Sequence, residues 1–250
     1  AAITSALSIL PKGSTILIPA EGGWIHYKKA PAQLGLNIVE VKCDDAKINL
    51  DDLQHKLQTE KPSAFLYQNP GGYFAQQPMK EIYKVCKKNK CVVIMDVSGS
   101  IGTSLCDGRY ADILVGSFGE WKLVEAKVGG FISCKDKKVW EKVKSQVEIL
   151  KDENSLQKIN EQLLLLPQRI DYLQELRKKV IMDLHGFDIL YPRDTGFVVV
   201  IKYASDIEKQ KIIGYCEKHT FAYTLCPRYI RVNSPAISIE LKQKEQNQKS

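Results

Sequence analysis

Short runs of apolar, often β-branched residues alternate with amphipathic stretches along the first half of the chain. The runs are too short for helices and predict strands, and apolar residues spaced three and four apart predict helices between them. The predicted strands are 15–20, 37–43, 64–68, 91–97 and 111–118. The predicted helices are 1–10, 24–34, 51–60 and 79–90. Such alternation is typical of an α/β fold with a mostly parallel sheet and helices on both faces.

The pattern changes after residue 135. Two long amphipathic stretches predict helices at 139–150 and 156–184, the second broken near Pro167, and shorter elements follow them. These are strands at 187–191, 196–203, 221–225 and 229–233 and a helix at 206–220. We therefore expect a large domain at 1–140, linker helices and a small α+β domain at 141–241, and a polar tail at 242–250.

Composition and charge exclude several classes of protein. With 250 residues, 44% hydrophobic and 26% charged, the chain suits a soluble protein of one or two domains. No apolar run approaches the length of about 18 residues that a membrane helix needs. The net charge of +7 comes almost entirely from lysine, and no nucleic-acid-binding motif is present. A solvated lysine-rich surface is therefore expected, with no nucleic-acid partner and no membrane partner.

Cysteine usage indicates a reducing compartment. The seven cysteines are odd in number and scattered, and no Cys-x-x-Cys pair occurs. This pattern favours a reduced, cytoplasmic protein without structural zinc or any other metal. The first residue is Ala rather than Met, so we expect an upstream segment to be missing from this sequence.

An acid and an amine follow two neighbouring predicted strands. Asp96 lies at the end of the strand at 91–97, and Lys122 follows the strand at 111–118 after a Ser-Phe-Gly turn. Ligands of open α/β sheets bind outside the carboxyl ends of the strands, so both side chains are expected at one crevice. An acid and an amine placed there suggest a site for a ring cofactor.

The motifs around these two residues resemble those of pyridoxal-phosphate enzymes with the aspartate-aminotransferase fold, most of all the DegT/StrS-type aminotransferases. In those enzymes the cofactor lysine follows a Ser-Phe-x-x-x-Lys pattern, with a Gly-Gly pair seven and eight residues later in some members. The matching residues here are Asp96, Gly102, Ala111-Asp112-Ile113, Ser117-Phe118, Lys122 and Gly129-Gly130. The resemblance covers residues 1–140 well and the remainder loosely. It implies the pyridoxal-phosphate-dependent transferase fold, pyridoxal 5′-phosphate as cofactor and a homodimer, since active sites in this superfamily lie at a dimer interface.

The resemblance also assigns roles to residues at the cofactor. Lys122 forms a Schiff base with it and later moves the substrate α-proton. Asp96 pairs with the ring nitrogen. Ser117 binds the phosphate, together with backbone N–H groups at Ala1 and Ala2, where a helix N-terminus offers unpaired donors.

Four further residues have a competing interpretation. Trp24 would stack on the ring, with His26 as the rival and a core tryptophan as the alternative. Asn69 would contact the phenolic oxygen, or it only shapes the turn before Pro70. Arg231 would bind the substrate carboxylate as a bidentate guanidinium, with Arg228 as its alternative or a surface salt bridge in either case.

Two departures from the family pattern bear on activity. Sugar-aminotransferase relatives carry a glutamine three residues after the acid, where this chain has Gly99, so that contact is absent or replaced by Ser98 or Ser100. In other branches of the superfamily the lysine stands three residues after the serine, where this chain has Glu120. In that register the protein would be a non-catalytic subunit or binding protein.

The leading hypothesis is a pyridoxal-phosphate-dependent aminotransferase acting on a small molecule, an amino acid or an amino-sugar. Elimination, decarboxylation and desulfuration stay open. Cys106 and Cys226 could be read as desulfurase nucleophiles, but neither has a context that lowers a thiol pKa, and both are treated as core. The second hypothesis is the non-catalytic paralogue, and the third is a lysine-rich nucleic-acid binder.

Overall fold

The computed structural model describes residues 1–243, and a six-stranded sheet forms its centre. The strands of the first half are β1 (Thr15–Pro19), β2 (Asn37–Val41), the short hairpin β3 (Cys43–Asp44) and β4 (Lys47–Ile48), β5 (Ala64–Gln68), β6 (Val92–Asp96), β7 (Ile113–Ser117) and β8 (Gly130–Cys134). The sheet order is β2-β1-β5-β6-β7-β8. The first five of these strands are parallel, and β8 pairs with β7 in the antiparallel direction.

Helices cover this sheet on both faces. The helices of the first half are α1 (Ala2–Leu7), α2 (His26–Gln33), α3 (Leu50–Thr59) and α4 (Met79–Lys88). Alternate residues of the central strands enter two different apolar clusters, as the period of two requires. One cluster joins Met95 to side chains of α3 and α4, and the other joins Ile94 to side chains of α1 and α2. This architecture is the predicted α/β fold, and the five predicted strands and four predicted helices are present.

The second half adds long helices and a four-stranded antiparallel sheet. Its elements are α5 (Lys137–Val143), α6 (Glu153–Leu164), α7 (Leu166–Asp183), β9 (Asp188–Ile189), β10 (Val199–Lys202), α8 (Asp206–Lys218), β11 (Ala222–Cys226), β12 (Ala236–Glu240) and 3₁₀ turns at Gly108–Tyr110, Lys144–Gln146 and Leu241–Gln243. The strand order is β11-β12-β10-β9. The predicted helix break near Pro167 falls at Leu165, because proline is favoured in the first turn of the helix that follows it.

The strand predicted at 229–233 is wrong. Those residues form a loop, and the strand lies farther on, at β12, between β10 and β11. In the loop Arg231 donates to a carboxylate on β12, and the Asn233 backbone N–H donates to Glu21, so these groups serve tertiary contacts rather than a ladder. The alternation in Ala-Ile-Ser-Ile-Glu was the signal that predicts β12.

The predicted polar tail begins too early. Lys242 and Gln243 belong to the closing 3₁₀ turn, and Lys242 is buried. The rest of the predicted tail, 244–250, lies outside the described residues. The division at residue 140 stays a prediction, and one apolar cluster runs through both sheets, with Met95 and Ile237 among its members. Among the helices within residues 1–243, none combines the length and the apolar character needed to cross a bilayer.

Candidate active site

Asp96 lies at the carboxyl end of β6 with its carboxylate almost completely buried. Its Oδ2 accepts a hydrogen bond from the Tyr27 hydroxyl at 2.8 Å, and its Oδ1 accepts one from the Ser98 backbone N–H at 2.9 Å. Burial, and then the charge of Asp96, raise the pKa of Tyr27 well above its ordinary value. The phenol therefore stays protonated and donates a hydrogen bond to the carboxylate. Both donors are neutral, and no lysine or arginine within residues 1–243 forms an ion pair with this acid.

Lys122 lies in the loop between β7 and β8, at the same end of the sheet. Leu123 and Val124, directly after it, are buried and anchor the loop. The Lys122 amine is thereby directed inward, where it donates a hydrogen bond to the Tyr73 hydroxyl. Its Nζ lies 4.8 Å from the Tyr73 ring centroid and 5.4 Å from that of Trp24. The amine is therefore held between two aromatic rings at the mouth of the crevice.

Tyr73 is a residue of this crevice that the sequence analysis missed. It lies in the turn after β5, and its ring packs against Gly99. A Cβ at Gly99 would lie 2.6 Å from Tyr73 Cδ1, closer than real Cβ contacts occur. The position where relatives carry a glutamine is therefore glycine here because the tyrosine ring occupies the space.

The turns around Asp96 are held by side-chain hydrogen bonds. The Ser98 hydroxyl accepts from the Ser117 backbone N–H at 3.0 Å, and the Ser117 hydroxyl accepts from the Gly119 N–H at 3.1 Å. The Ser100 hydroxyl donates to the Asn69 carbonyl at 2.7 Å. Asn69 is fully buried, and its side chain accepts from the Gln77 N–H and donates to the Leu105 carbonyl. These contacts give Asn69 the turn-shaping role; its contact with a cofactor stays a prediction.

Trp24 lies at the surface of the crevice, 42% exposed. His26, the rival stacking group, uses its Nε2 to bind the Thr4 hydroxyl at 3.0 Å and so joins α2 to α1. Ala1 precedes α1, and Ala2 is its first residue. Of the two candidate stacking groups, Trp24 is therefore the one that lies near the Lys122 amine. The phosphate contact at Ala1 and Ala2 stays a prediction.

Arg231 reaches the same place from the second half of the chain. Its guanidinium carbon is 5.3 Å from the Tyr73 ring centroid, and its Nη2 lies 2.9 and 2.7 Å from the two carboxylate oxygens of Glu240. Its Nε also donates to Ser238 at 2.9 Å. The guanidinium is thus buried in a bidentate ion pair. Arg228 is exposed and lies in the same loop. Binding of a substrate carboxylate by either arginine stays a prediction.

Lys242 is the second residue that the sequence analysis missed. It belongs to the closing 3₁₀ turn, is only 4% exposed, and its Nζ lies 3.9 Å from the Tyr73 ring centroid. Burial first, and then the charges of Lys122 and Arg231, hold its pKa well below the ordinary value. It lies 120 positions beyond Lys122, so no local motif connects the two.

The remaining candidate groups lie outside this cluster. Glu120 is exposed, and its Oε1 lies 3.9 Å from the Lys127 amine at the surface, so the structure directs Lys122 and not Glu120 inward. Burial raises the pKa of the Cys106 and Cys226 thiols, and neither is a ready thiolate. No group of three or more metal-ligating side chains occurs within residues 1–243.

A family model decides what this arrangement belongs to. Residues 2–162 match the DegT/DnrJ/EryC1/StrS aminotransferase family. The chain belongs to this family. It is accordingly an aminotransferase-like enzyme whose cofactor is pyridoxal phosphate, as the sequence predicts. No curated protein sequence matches the chain.

Solved structures with the same fold include several pyridoxal-phosphate enzymes. The histidinol-phosphate aminotransferase from Clostridium acetobutylicum is 15% identical with a TM-score of 0.73, over 99% of this chain and 78% of that one. 3-Amino-5-hydroxybenzoic acid synthase is 14% identical with a TM-score of 0.73, over 96% and 78%. The pyridoxal-phosphate-bound C–S lyase from Staphylococcus hominis is 12% identical with a TM-score of 0.65, over 98% and 72%. These likenesses confirm the predicted fold.

The residues at the strand ends fit this cofactor. Asp96 is a buried carboxylate whose hydrogen-bond donors are neutral, which suits a protonated ring nitrogen. Gln68, paired with Asp96 in the β5–β6 register, has a buried Nε2 that donates to no atom within residues 1–243. A buried donor without a partner costs stability, and a polar ligand that accepts from Gln68 would compensate for this cost. The sequence analysis also missed Gln68, because it assigned the polar contact to Asn69, the next residue in the turn.

Proposed function

We propose that this chain is an aminotransferase for an amino acid or an amino-sugar, with Lys122 as the amine that bonds covalently to the cofactor. One observation carries the proposal: the Lys122 amine, held by Tyr73 and beside Trp24, lies at the same sheet end as the buried Asp96 carboxylate. These are the two groups that the cofactor chemistry requires. The outward direction of Glu120 supports this register over the one that makes the protein non-catalytic.

The roles of the residues follow from their contacts. When bound, pyridoxal phosphate supplies an electron sink for the substrate α-carbon. Asp96, held by Tyr27 and Ser98, would keep the ring nitrogen protonated. Trp24 would cover the ring and exclude water from it.

The remaining roles concern the phosphate and the transferred proton. Ser117 and the start of α1 would hold the phosphate, with Gln68 as a further donor to the ring. Lys122, freed by the incoming substrate amine, would move the proton at the substrate α-carbon, and its contact with the Tyr73 hydroxyl orients the amine for that transfer.

The absorbance spectrum of the purified protein with pyridoxal phosphate tests this assignment. We expect a band near the visible range that the free cofactor lacks, and we expect Lys122→Ala to lose it. Lys127→Ala is the matched control, because Lys127 lies in the same loop with its side chain at the surface. A band that survives in Lys122→Ala, or a protein that stays without one in excess cofactor, would contradict the proposal.

We further propose that the chain acts as a cytoplasmic homodimer. Three consecutive leucines at the α6–α7 junction, Leu163 to Leu165, are exposed, and Leu164 is 73% exposed. Contiguous exposed apolar side chains mark interaction surfaces. All seven cysteines are free thiols, which supports a reducing compartment.

A further inference from the structure

The ring of Tyr73 is surrounded by three cationic groups. Their distances to the ring centroid are 3.9 Å for Lys242 Nζ, 4.8 Å for Lys122 Nζ and 5.3 Å for the Arg231 guanidinium carbon. All three lie within the range in which a cation is attracted by an aromatic ring. That attraction is modest, and it does not offset the mutual repulsion of three positive charges.

Only one of these cations has a bonded counter-charge within residues 1–243. Glu240 gives both its carboxylate oxygens to Arg231. No carboxylate among the described residues forms an ion pair with Lys122 or Lys242. The cluster around Tyr73 therefore carries more positive than negative charge.

Of the two lysines in this cluster, Lys242 is the buried one. The titratable groups that act on it are Lys122 from the loop after β7, Arg231 from the loop before β12, Glu240 at the end of β12 and Arg169 on α7. Three of these four are cations, of which Arg231 is paired with Glu240 and Arg169 with Glu125, so the cation among them without an ion-pair partner in residues 1–243 is Lys122. Together with burial, they hold the pKa of Lys242 well below its ordinary value. A buried amine in such surroundings is costly for folding, and costly groups of this kind are concentrated at functional sites.

We propose that Lys242 binds a carboxylate of the substrate, and that this carboxylate is the counter-charge of the Tyr73 cluster. The proposal rests on the proposed function of Lys122. The Tyr73 hydroxyl accepts from Lys122 and its ring faces Lys242, so one aromatic side chain spaces the reacting amine from the anion-binding amine. The substrate class of this site is then a carboxylate-bearing amino or oxo acid. Arg231 has a positioning role: it fixes Glu240, two residues before Lys242.

Binding of succinate, measured by titration calorimetry on the full chain, tests this inference directly. Succinate carries carboxylates and has no amine that can react, so its binding does not depend on the chemistry at Lys122. We expect Lys242→Met to weaken succinate binding about tenfold or more, the effect of losing a charge-assisted hydrogen bond. Lys127→Met, which removes an exposed lysine, is the matched control and should bind succinate like the parent.

Two further readouts separate anion binding from a structural role. A bound carboxylate raises the pKa of a neighbouring amine, so succinate binding to the parent at pH 8.5 should take up protons, and the Lys242→Met variant should not. Proton uptake is measured by repeating the titration in two buffers of different ionisation enthalpy. Without succinate, Lys242→Met should unfold at the same or a higher urea concentration than the parent, because a buried amine that must either stay charged without an ion-pair partner or give up its proton has been removed.

Three results would overturn the inference. The first is succinate binding in Lys242→Met equal to that of the parent. The second is a lower urea midpoint in Lys242→Met together with unchanged proton uptake, which would make Lys242 a structural residue. The third is succinate binding that disappears once the protein is loaded with pyridoxal phosphate, which would make the cofactor phosphate the anion at Lys242. The absorbance band that tests Lys122 is measured separately. Failure of the succinate experiment would therefore leave the proposed role of Lys122 untouched.

Discussion

The residues of this site differ in how far the sequence could reveal them. Asp96 and Lys122 follow apolar strands and match a spaced motif, so local pattern was enough to single them out. Tyr73 and Lys242 match no motif, and only the folded chain brings them to within 3.9 Å, ring centroid to amine. Gln68 is the last residue of its strand, and a polar residue at that position could equally belong to the turn that follows. Nothing in the sequence therefore singled it out.

Gly99 offers a test of the packing around Tyr73. Because a Cβ there would lie 2.6 Å from the tyrosine ring, Gly99→Ala should lower the free energy of unfolding by about 1–3 kcal/mol. Gly214→Ala is the control: that helical glycine has open space around it, and alanine should raise the free energy of unfolding by about 0.5–1 kcal/mol. Urea unfolding measures both. Equal stability of Gly99→Ala and the parent would show that Tyr73 does not fill this space.

At the scale of elements, the five parallel strands of the large sheet were predicted and its antiparallel edge strand β8 was not, and the small sheet was predicted only in part. The strands β1, β5 and β6 are apolar runs buried on both faces, and β2 at the edge is an apolar run that is partly exposed, which is why the apolar pattern predicted their positions. In the small sheet Ile237 and Ile239 enter the core while Ser238 and Glu240 turn toward Arg231. A charged residue such as Glu240 at the end of an apolar run argues against a buried strand unless its ion-pair partner is known. That partner, Arg231, lies in the loop at 229–233, which was wrongly predicted as a strand.

The ion pair between Arg231 and Glu240 holds this loop on β12. Arg231→Met leaves the Glu240 carboxylate buried without its partner, and it should lower the free energy of unfolding by about 3–5 kcal/mol. Arg231→Met combined with Glu240→Leu should cost less than the sum of the two single changes. Lys178→Met, which breaks the exposed pair with Glu175, is the control and should change the free energy of unfolding by less than about 0.5 kcal/mol. Additive costs in the double variant would contradict a direct interaction.

The same pair sets a dependence on pH. Burial alone would raise the pKa of Glu240, but the charge and hydrogen bonds of Arg231 hold it below the ordinary value of 4.5. A carboxylate with a depressed pKa in the folded state contributes stability above its unfolded pKa, and that contribution is lost as the pH falls through the folded value. In Arg231→Met, burial without a partner raises the pKa of Glu240, so this carboxylate takes up its proton at a higher pH than in the parent. The stability difference between parent and variant should therefore be full at high pH, begin to shrink where Glu240 of the variant is protonated, and shrink further until the pH falls below the depressed folded pKa of Glu240 in the parent.

At the scale of the whole molecule, one apolar cluster links the two sheets, and an exposed apolar surface remains at the α6–α7 junction. We expect light scattering to give twice the mass of one chain for the parent. Leu164→Glu should give a single chain, since a charge in an apolar interface is costly. Met182→Glu is the control, because Met182 is as exposed as Leu164 but lies at the far end of α7. A parent that scatters as one chain would contradict the dimer.

The site itself is tested most directly by borohydride reduction of the protein loaded with pyridoxal phosphate, followed by mass-spectrometric mapping of the modified lysine. Two buried or half-buried amines face Tyr73, so the measurement discriminates between them. We expect a single modified peptide that carries the cofactor on Lys122. Modification at Lys242, or scattered over surface lysines with none at Lys122, would contradict the assignment of Lys122 as the cofactor lysine.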